Sequence, residues 1–184
     1  MKVVKPNQEG IKQAVEVLKA GGVVVYPTDT AYALGGVFDS NKVIKKILKI
    51  KGRQDEKFTL VCSSLIQVEK FFKFTKEEEK LAKKFWPGPL SITVGRKFAV
   101  RVPKNKIAKE LARRVGKPLI ATSANLHGQP SFYNSQKIIK EFNNQPNQPD
   151  LIINSGRLRK VPPSTLVKVN KSGVAVLREG PIKI

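Results

Sequence analysis

Residues 23–36 read VVVYPTDTAYALGG, an apolar run followed by two threonine hydroxyls, a carboxylate and a glycine pair. A short continuous apolar run closed by a turn signal is the mark of a strand in a sheet interior, so Val23 to Tyr26 is read as a buried strand running into Pro27. Polar residues just past a strand end lie where the loops of an open α/β sheet converge on a ligand. Thr28, Asp29 and Thr30 occupy such a place, and Gly35 and Gly36 allow a backbone to come close. An ordinary turn capped by Asp29 explains the same residues equally well.

Working outward, Asn7 to Ala20 places Ile11, Ala14, Val15 and Leu18 at helical spacing, and Gly21-Gly22 ends the helix. Asn41 to Lys51 is a second helix, with Val43, Ile44, Ile47 and Leu48 on one side and Lys42, Lys45, Lys46 and Lys49 on the other. Phe58 to Cys62 reads as a strand and Ser64 to Phe72 as a helix. Thr75 and Glu78 form a capping box that opens a helix through Phe85, stopped by Trp86-Pro87-Gly88-Pro89. Leu90–Val94 and Phe98–Val102 are strands joined at Gly95. A helix over Asn105–Val115, a strand over Pro118–Thr122 and a helix over Ser135–Phe142 follow. Strands at Leu151–Ile153, Thr165–Val169 and Val174–Leu177 complete the set. Interleaved helices and strands, with adjacent strand pairs toward the end, predict an α/β fold with a mixed sheet in one domain spanning 1–184.

Thirty-five Lys and Arg against 14 Asp and Glu give a formal net charge of +21. The excess gathers in Lys42–Lys57, Arg96–Lys117 and Arg157–Lys171, and a field of that sign attracts nucleotides, pyrophosphate or RNA. High lysine content on a solvated surface gives the same balance. Cys62 is the single cysteine, which excludes a disulfide framework and a cysteine zinc site. No apolar run is long enough for a membrane span and Met1–Gly10 holds no signal-peptide core, so a cytoplasmic protein is expected.

Three groups of residues carry candidate chemistry. Lys51 and Arg53 end the lysine-faced helix, where cations relieve the helix dipole or capture phosphate. Thr122, Ser123 and Asn125 follow a strand, with Gly128 and Ser131 beyond; such residues cap and turn chains as readily as they bind ligands. Arg101 and Arg178 stand at sheet rims, where each could equally form a surface salt bridge. No GxxxxGK[ST] or GxGxxG pattern is present, so a nucleotide site here would be built from side chains.

Taken together, YPTDT at 26–30, KGR at 51–53, WPGPL at 86–90, RVP at 101–103, TSAN at 122–125, PST at 163–165 and LREG at 177–180 resemble the YrdC-like L-threonylcarbamoyl-AMP synthases from about Ile11 to Gly180. The resemblance implies a twisted, mixed, open sheet flanked by helices, with a basic concave face. It also implies a reaction in which L-threonine, bicarbonate and ATP give threonylcarbamoyl-AMP and pyrophosphate, toward the t6A modification of tRNA. On matching positions, Thr30, Arg101, Ala121 and Ser164 would hold L-threonine. Lys51, Arg53, Ser123, Asn125, Ser131 and Arg178 would hold ATP, with Lys51 and Arg53 catalytic. Mg2+ would ride on the phosphates and water, and t6A-pathway proteins are the implied partners.

The chain departs from the family's commonest pattern at Ala33, where glycine is usual, at Gln54–Phe58 and at Cys62. Phe58-Thr59-Leu60 with Cys62 is similar to the neighbouring YciO-like branch. Cys62 is read as a buried strand residue, His127 as a solvent-facing loop residue and Trp86 as a core anchor. The rival from another class is a YrdC/YciO-like protein that binds double-stranded or ribosomal RNA on its basic face without synthase activity.

Overall fold

The computed structural model describes residues 1–184. In chain order the elements are β1 (Lys2–Val4), α1 (Gln8–Lys19), β2 (Val24–Pro27), β3 (Tyr32–Gly35), α2 (Asn41–Lys51), β4 (Phe58–Val61), α3 (Leu65–Phe71), α4 (Lys76–Phe85), β5 (Leu90–Val94), β6 (Phe98–Arg101), α5 (Lys106–Val115), β7 (Leu119–Ser123), α6 (Ser135–Asn143), β8 (Leu151–Ile153), β9 (Thr165–Asn170) and β10 (Gly173–Arg178). The helices start where side chains can accept from their first free N–H groups: Asn7, Ser40, Ser64, Thr75, Asn105 and Asn134 all cap. The capping box forms, with Thr75 N donating to Glu78 at 2.7 Å and Glu78 N to Thr75 Oγ1 at 3.3 Å. Gly52 and Gly116 close α2 and α5 at positive φ.

The strands form one sheet in the order β1-β8-β2-β3-β7-β4-β6-β5-β9-β10. It is mixed, as expected: β4/β6 and β5/β9 run parallel, whereas β2/β3, β3/β7 and β4/β7 run antiparallel. Two elements differ from the sequence reading. Tyr32–Gly35 is a buried strand, β3, where a loop was expected, and Lys2–Val4 adds an edge strand beside β8. The close approach anticipated at Gly35 is real, since a Cβ there would meet Ile120 O at 1.6 Å.

One buried cluster joins Val25, Leu34, Ile47, Leu60 and Ile120 beneath α2 and α6; another joins Val24, Tyr26, Leu111 and Leu119 beneath α1 and α5. Trp86 packs on the first cluster and on the smaller one around Leu90, and its Nε1 donates to Leu90 O at 2.7 Å. β8 is second in the sheet and β9 is ninth, so residues 154–164 must bridge seven strand spacings, ~34 Å along the sheet. Eleven extended residues reach only ~36–40 Å. This connection is also tied midway, with Leu158 N donating to Tyr133 O at 2.7 Å. It therefore runs as a chord across a curved sheet, and beneath it lies a cavity.

Candidate active site

The turn between β2 and β3 forms one wall of that cavity. Thr28 Oγ1 donates to Ala31 O at 2.7 Å and accepts from Thr30 N at 3.2 Å and Ala31 N at 3.3 Å. The turn is therefore organised by Thr28 and not by Asp29, because a hydroxyl both donates and accepts whereas a carboxylate only accepts. Asp29 faces Arg101 instead, with 3.7 Å between Oδ1 and Nη2, and its Oδ1 has no hydrogen-bond partner.

Arg101 ends β6, an interior strand, and is only 4% exposed, which excludes the surface salt bridge considered from sequence. Its two terminal nitrogens are each 3.4 Å from Thr30 Oγ1 and its Nε has no partner. Burial pushes its pKa down, opposed by Asp29 and Tyr26, yet a guanidinium stays charged. An under-bonded buried cation facing a cavity favours an anion. Beside it, Ser164 Oγ lies 2.8 Å from Ser91 Oγ, and Arg178 donates through Nε to Ser164 O at 3.0 Å and through Nη2 to Ser164 Oγ at 3.1 Å. A register shift between Val176 and Arg178 breaks the β9/β10 ladder at this point; such bulges re-aim a side chain.

The Arg53 guanidinium lies 5.0 Å from the Phe58 ring centroid and donates to Lys57 O at 2.9 Å. Its buried Nε is unpaired. Lys57 also lines the cavity, together with Thr59, Ser123, Ser131, Tyr133 and Val161. Lys57 was missed as a site residue; its one signal in the sequence is a cation four residues beyond Arg53. The structure thus brings Thr30, Arg53, Arg101, Ala121, Ser123, Ser131, Ser164 and Arg178 to one cavity.

Lys51 and Asn125 are not among its lining residues. Lys51 is 3% exposed, and its ammonium donates to Ser123 O at 2.7 Å, Asn125 O at 2.8 Å and Asn125 Oδ1 at 3.2 Å. The Asn125 amide donates onward to Gln129 O, and His127 N donates to Lys51 O at 2.8 Å. The flexible ammonium expected to capture phosphate is instead committed to two main-chain oxygens and the Asn125 side-chain oxygen behind the loop. Burial, then the nearby Arg53 charge, lowers the Lys51 pKa to about 8.

The cavity encloses about 340 Å³, within the range that takes small molecules. Its charged lining is Arg53, Lys57, Arg101 and Arg178, with no carboxylate among the lining residues. The chain contains no group of His, Cys, Asp and Glu able to hold a metal ion, so these residues do not fit a protein-held Mg2+. Cys62 is buried and its thiol is pushed up to about 12, which leaves it protonated and inert. His127 is exposed. No helix is long and apolar enough to cross a membrane.

A sequence model of the Sua5/YciO/YrdC family, described as telomere recombination, matches residues 16–180. YciO of Escherichia coli, described as uncharacterized, is 33% identical over 190 residues, covering 95% of this chain and 91% of that protein. The threonylcarbamoyl-AMP synthase of Pyrococcus abyssi is 31% identical, covering 92% of this chain and 54% of that protein. The crystal structure of P. abyssi Sua5 complexed with L-threonine superposes with a TM-score of 0.84 at 31% identity, over 97% of this chain and 56% of the other. E. coli YciO superposes with a TM-score of 0.85 at 30% identity, over 99% and 95% of the two chains. The chain spans little more than half of the Sua5 protein but nearly all of YciO. The chain belongs to the Sua5/YciO/YrdC family.

Proposed function

We propose that this chain is an L-threonylcarbamoyl-AMP synthase, using L-threonine, bicarbonate and ATP as substrates. The observation that carries the reading is the cavity's charge: four cations, Arg53, Lys57, Arg101 and Arg178, and no acid. That lining suits a triphosphate beside a carboxylate. Arg101, with Thr30 and Ser164 around it, takes the threonine carboxylate, and Ala121 lies on the same wall. Arg53, Lys57 and Arg178 take the phosphates, with the Ser123 and Ser131 hydroxyls completing the contacts.

The threonine ammonium first gives up a proton to solvent; the free amine then adds to the bicarbonate carbon, and loss of water leaves the carbamate. A carbamate oxygen then attacks the α-phosphorus, the bond from that phosphorus to the bridging oxygen breaks, and pyrophosphate leaves with the electron pair. Negative charge grows on the leaving group, so fixed cations aimed there stabilise the transition state more than the ground state. Lys51 and Asn125 act one step back, holding the main chain that presents Ser123. Any Mg2+ comes with the substrate phosphates and water, and no step is assigned to it.

Pyrophosphate release from ATP tests the reading. It should require both L-threonine and bicarbonate; release that ignores either one contradicts it.

A further inference from the structure

The two edges of the sheet differ in how they are protected. β1, at one edge, is three residues long, starts with Lys2 and is followed by Lys5 and Pro6. Short edges flanked by lysine and proline resist the addition of another strand. β10, at the other edge, reads GVAVLR over 173–178, with no proline and no charge before Arg178. No main-chain hydrogen bond outside its ladder with β9 reaches residues 173–177. A strand pairs along both sides, so the outer side of β10 is an open ladder. The apolar interior is also least covered here. Of the five large hydrophobic side chains that stand exposed, Val176, Leu177 and Ile184 lie on β10 and the tail behind it. Val174 and Ile182 are only partly buried against the smallest apolar cluster, the one around Leu81, Leu90, Ile92 and Val167.

We propose that β10 pairs antiparallel with β10 of a second copy of this chain, about a two-fold axis at Ala175. The strand's own sequence specifies both partner and register. In a two-fold antiparallel pair one residue faces its own copy. With Ala175 in that place, Val174 of each copy faces Val176 of the other, and Lys171 comes opposite Glu179. Lys171 and Glu179 are both exposed, so two ion pairs flank an apolar centre. Centring on Val174 sets Lys171 against Leu177, and centring on Val176 sets Val174 against Arg178; each puts a charge on an apolar side chain. Val174 and Val176 share the face of Val167, with which Val176 pairs, so the Leu81 clusters of the two copies meet across the axis. The bulge between Val176 and Arg178 ends the ladder. The interface is therefore small, and the dimer is a reversible one. The inference stands whether or not the cavity makes an adenylate.

The test is sedimentation equilibrium of the purified chain over roughly 1–200 µM, the regime of a small, transient interface. A monomer–dimer equilibrium is expected. It should tighten about threefold or more between ~50 and ~500 mM NaCl, because two bodies of charge +21 repel and salt screens them. Val176→Lys should raise the dimer Kd about tenfold or more, whereas Val3→Lys, the same change on β1, should leave it within about twofold. Lys171→Glu and Glu179→Lys each turn two attractive pairs into repulsive ones and should weaken the dimer about threefold or more. Lys171→Glu/Glu179→Lys together should restore the parent value. Ala175→Cys should give a covalent dimer under oxidised glutathione, since the native Cys62 is buried. A circular dichroism melt of each variant confirms the fold. A chain that stays monomeric across the whole range at the higher salt overturns the proposal. A loss in Val3→Lys that equals the loss in Val176→Lys overturns it too, as does association that weakens with salt, or a charge swap that fails to restore.

Discussion

The Lys51 ammonium sits 2.8 Å from the main-chain oxygen of Asn125, and 72 residues separate Lys51 from its other carbonyl partner, Ser123. The last residue of α2 is thereby fastened to the loop after β7. Lys51→Met removes the donor to Asn125 O and Asn125 Oδ1, a cost of ~1–3 kcal/mol per group, whereas Ser123 O keeps the Asn125 N–H at 2.9 Å. The expected result is a lower melting temperature together with a raised KM for ATP. Lost activity with unchanged stability would instead make Lys51 a direct phosphate ligand.

The same lysine gives a pH dependence of known sign. Its folded pKa is lowered from 10.5 to about 8, so the unfolded chain binds more protons between those values and stability rises with pH across that window. Below about pH 8 the burial cost is fully present. The three oxygens on the ammonium oppose the shift, which sets the expected gain at ~1–3 kcal/mol. Chemical unfolding at pH 7.5 and 10 should show this gain in the parent relative to Lys51→Met. An identical pH response in both would rule the effect out.

Arg101 is the cation assigned to the amino-acid carboxylate. Arg101→Lys keeps the charge but loses the fork, and should raise the KM for L-threonine ~10- to 100-fold, as expected for a charge-assisted hydrogen bond of ~1.5–3 kcal/mol. The KM for ATP should move less than threefold. Steady-state kinetics in each substrate decides it, and equal effects on both would contradict the assignment.

Arg53 is held on the Phe58 ring and by Lys57 O, whereas the Lys57 side chain stands exposed at the cavity. Arg53→Ala should lower kcat by ~10²–10³-fold, in line with loss of a fixed electrostatic stabiliser. Lys57→Ala should cost ~10-fold or less, because an exposed charge is screened. A larger loss at Lys57 than at Arg53 would reverse their roles.

The sequence shows most of the architecture because its signals are local. Asn7, Thr75 with Glu78, and Asn105 announce helix starts through capping chemistry, and Gly52 and Gly116 mark the ends. β3 was hidden because Tyr32–Gly35 is short and contains Ala33 and Gly35, and its pairing with Ser123 and Thr122 comes from far along the chain. β1 was hidden for the same reason, since its partner Leu151 lies at the other end of the chain. Side-chain types told which residues could face an anion, and eight of the named positions do line one cavity. The burial of Lys51 was not legible, because a lysine ending a lysine-rich helix looks solvated until its carbonyl partners from the β7 loop are in place. Lys57 escaped notice because nothing local distinguishes it from the other lysines near α2.

Gly35 offers a test of the curved sheet that shapes the cavity. A methyl there would meet Ile120 O at 1.6 Å, and that oxygen also accepts from the buried Tyr26 hydroxyl at 2.7 Å. Gly35→Ala should destabilise by ~2 kcal/mol or more through overpacking, read as a drop in the urea midpoint. A variant as stable as the parent would mean that β3 and β7 are not so closely apposed.

The most direct test of the proposed activity is to incubate the purified chain with ATP, L-threonine and ¹⁴C-bicarbonate and to resolve the nucleotides by chromatography and mass spectrometry. Label appearing in a threonylcarbamoyl-AMP peak, and disappearing when L-threonine is omitted, is the predicted result. ATP left intact, with no labelled adenylate under conditions where the P. abyssi synthase forms it, would contradict the account.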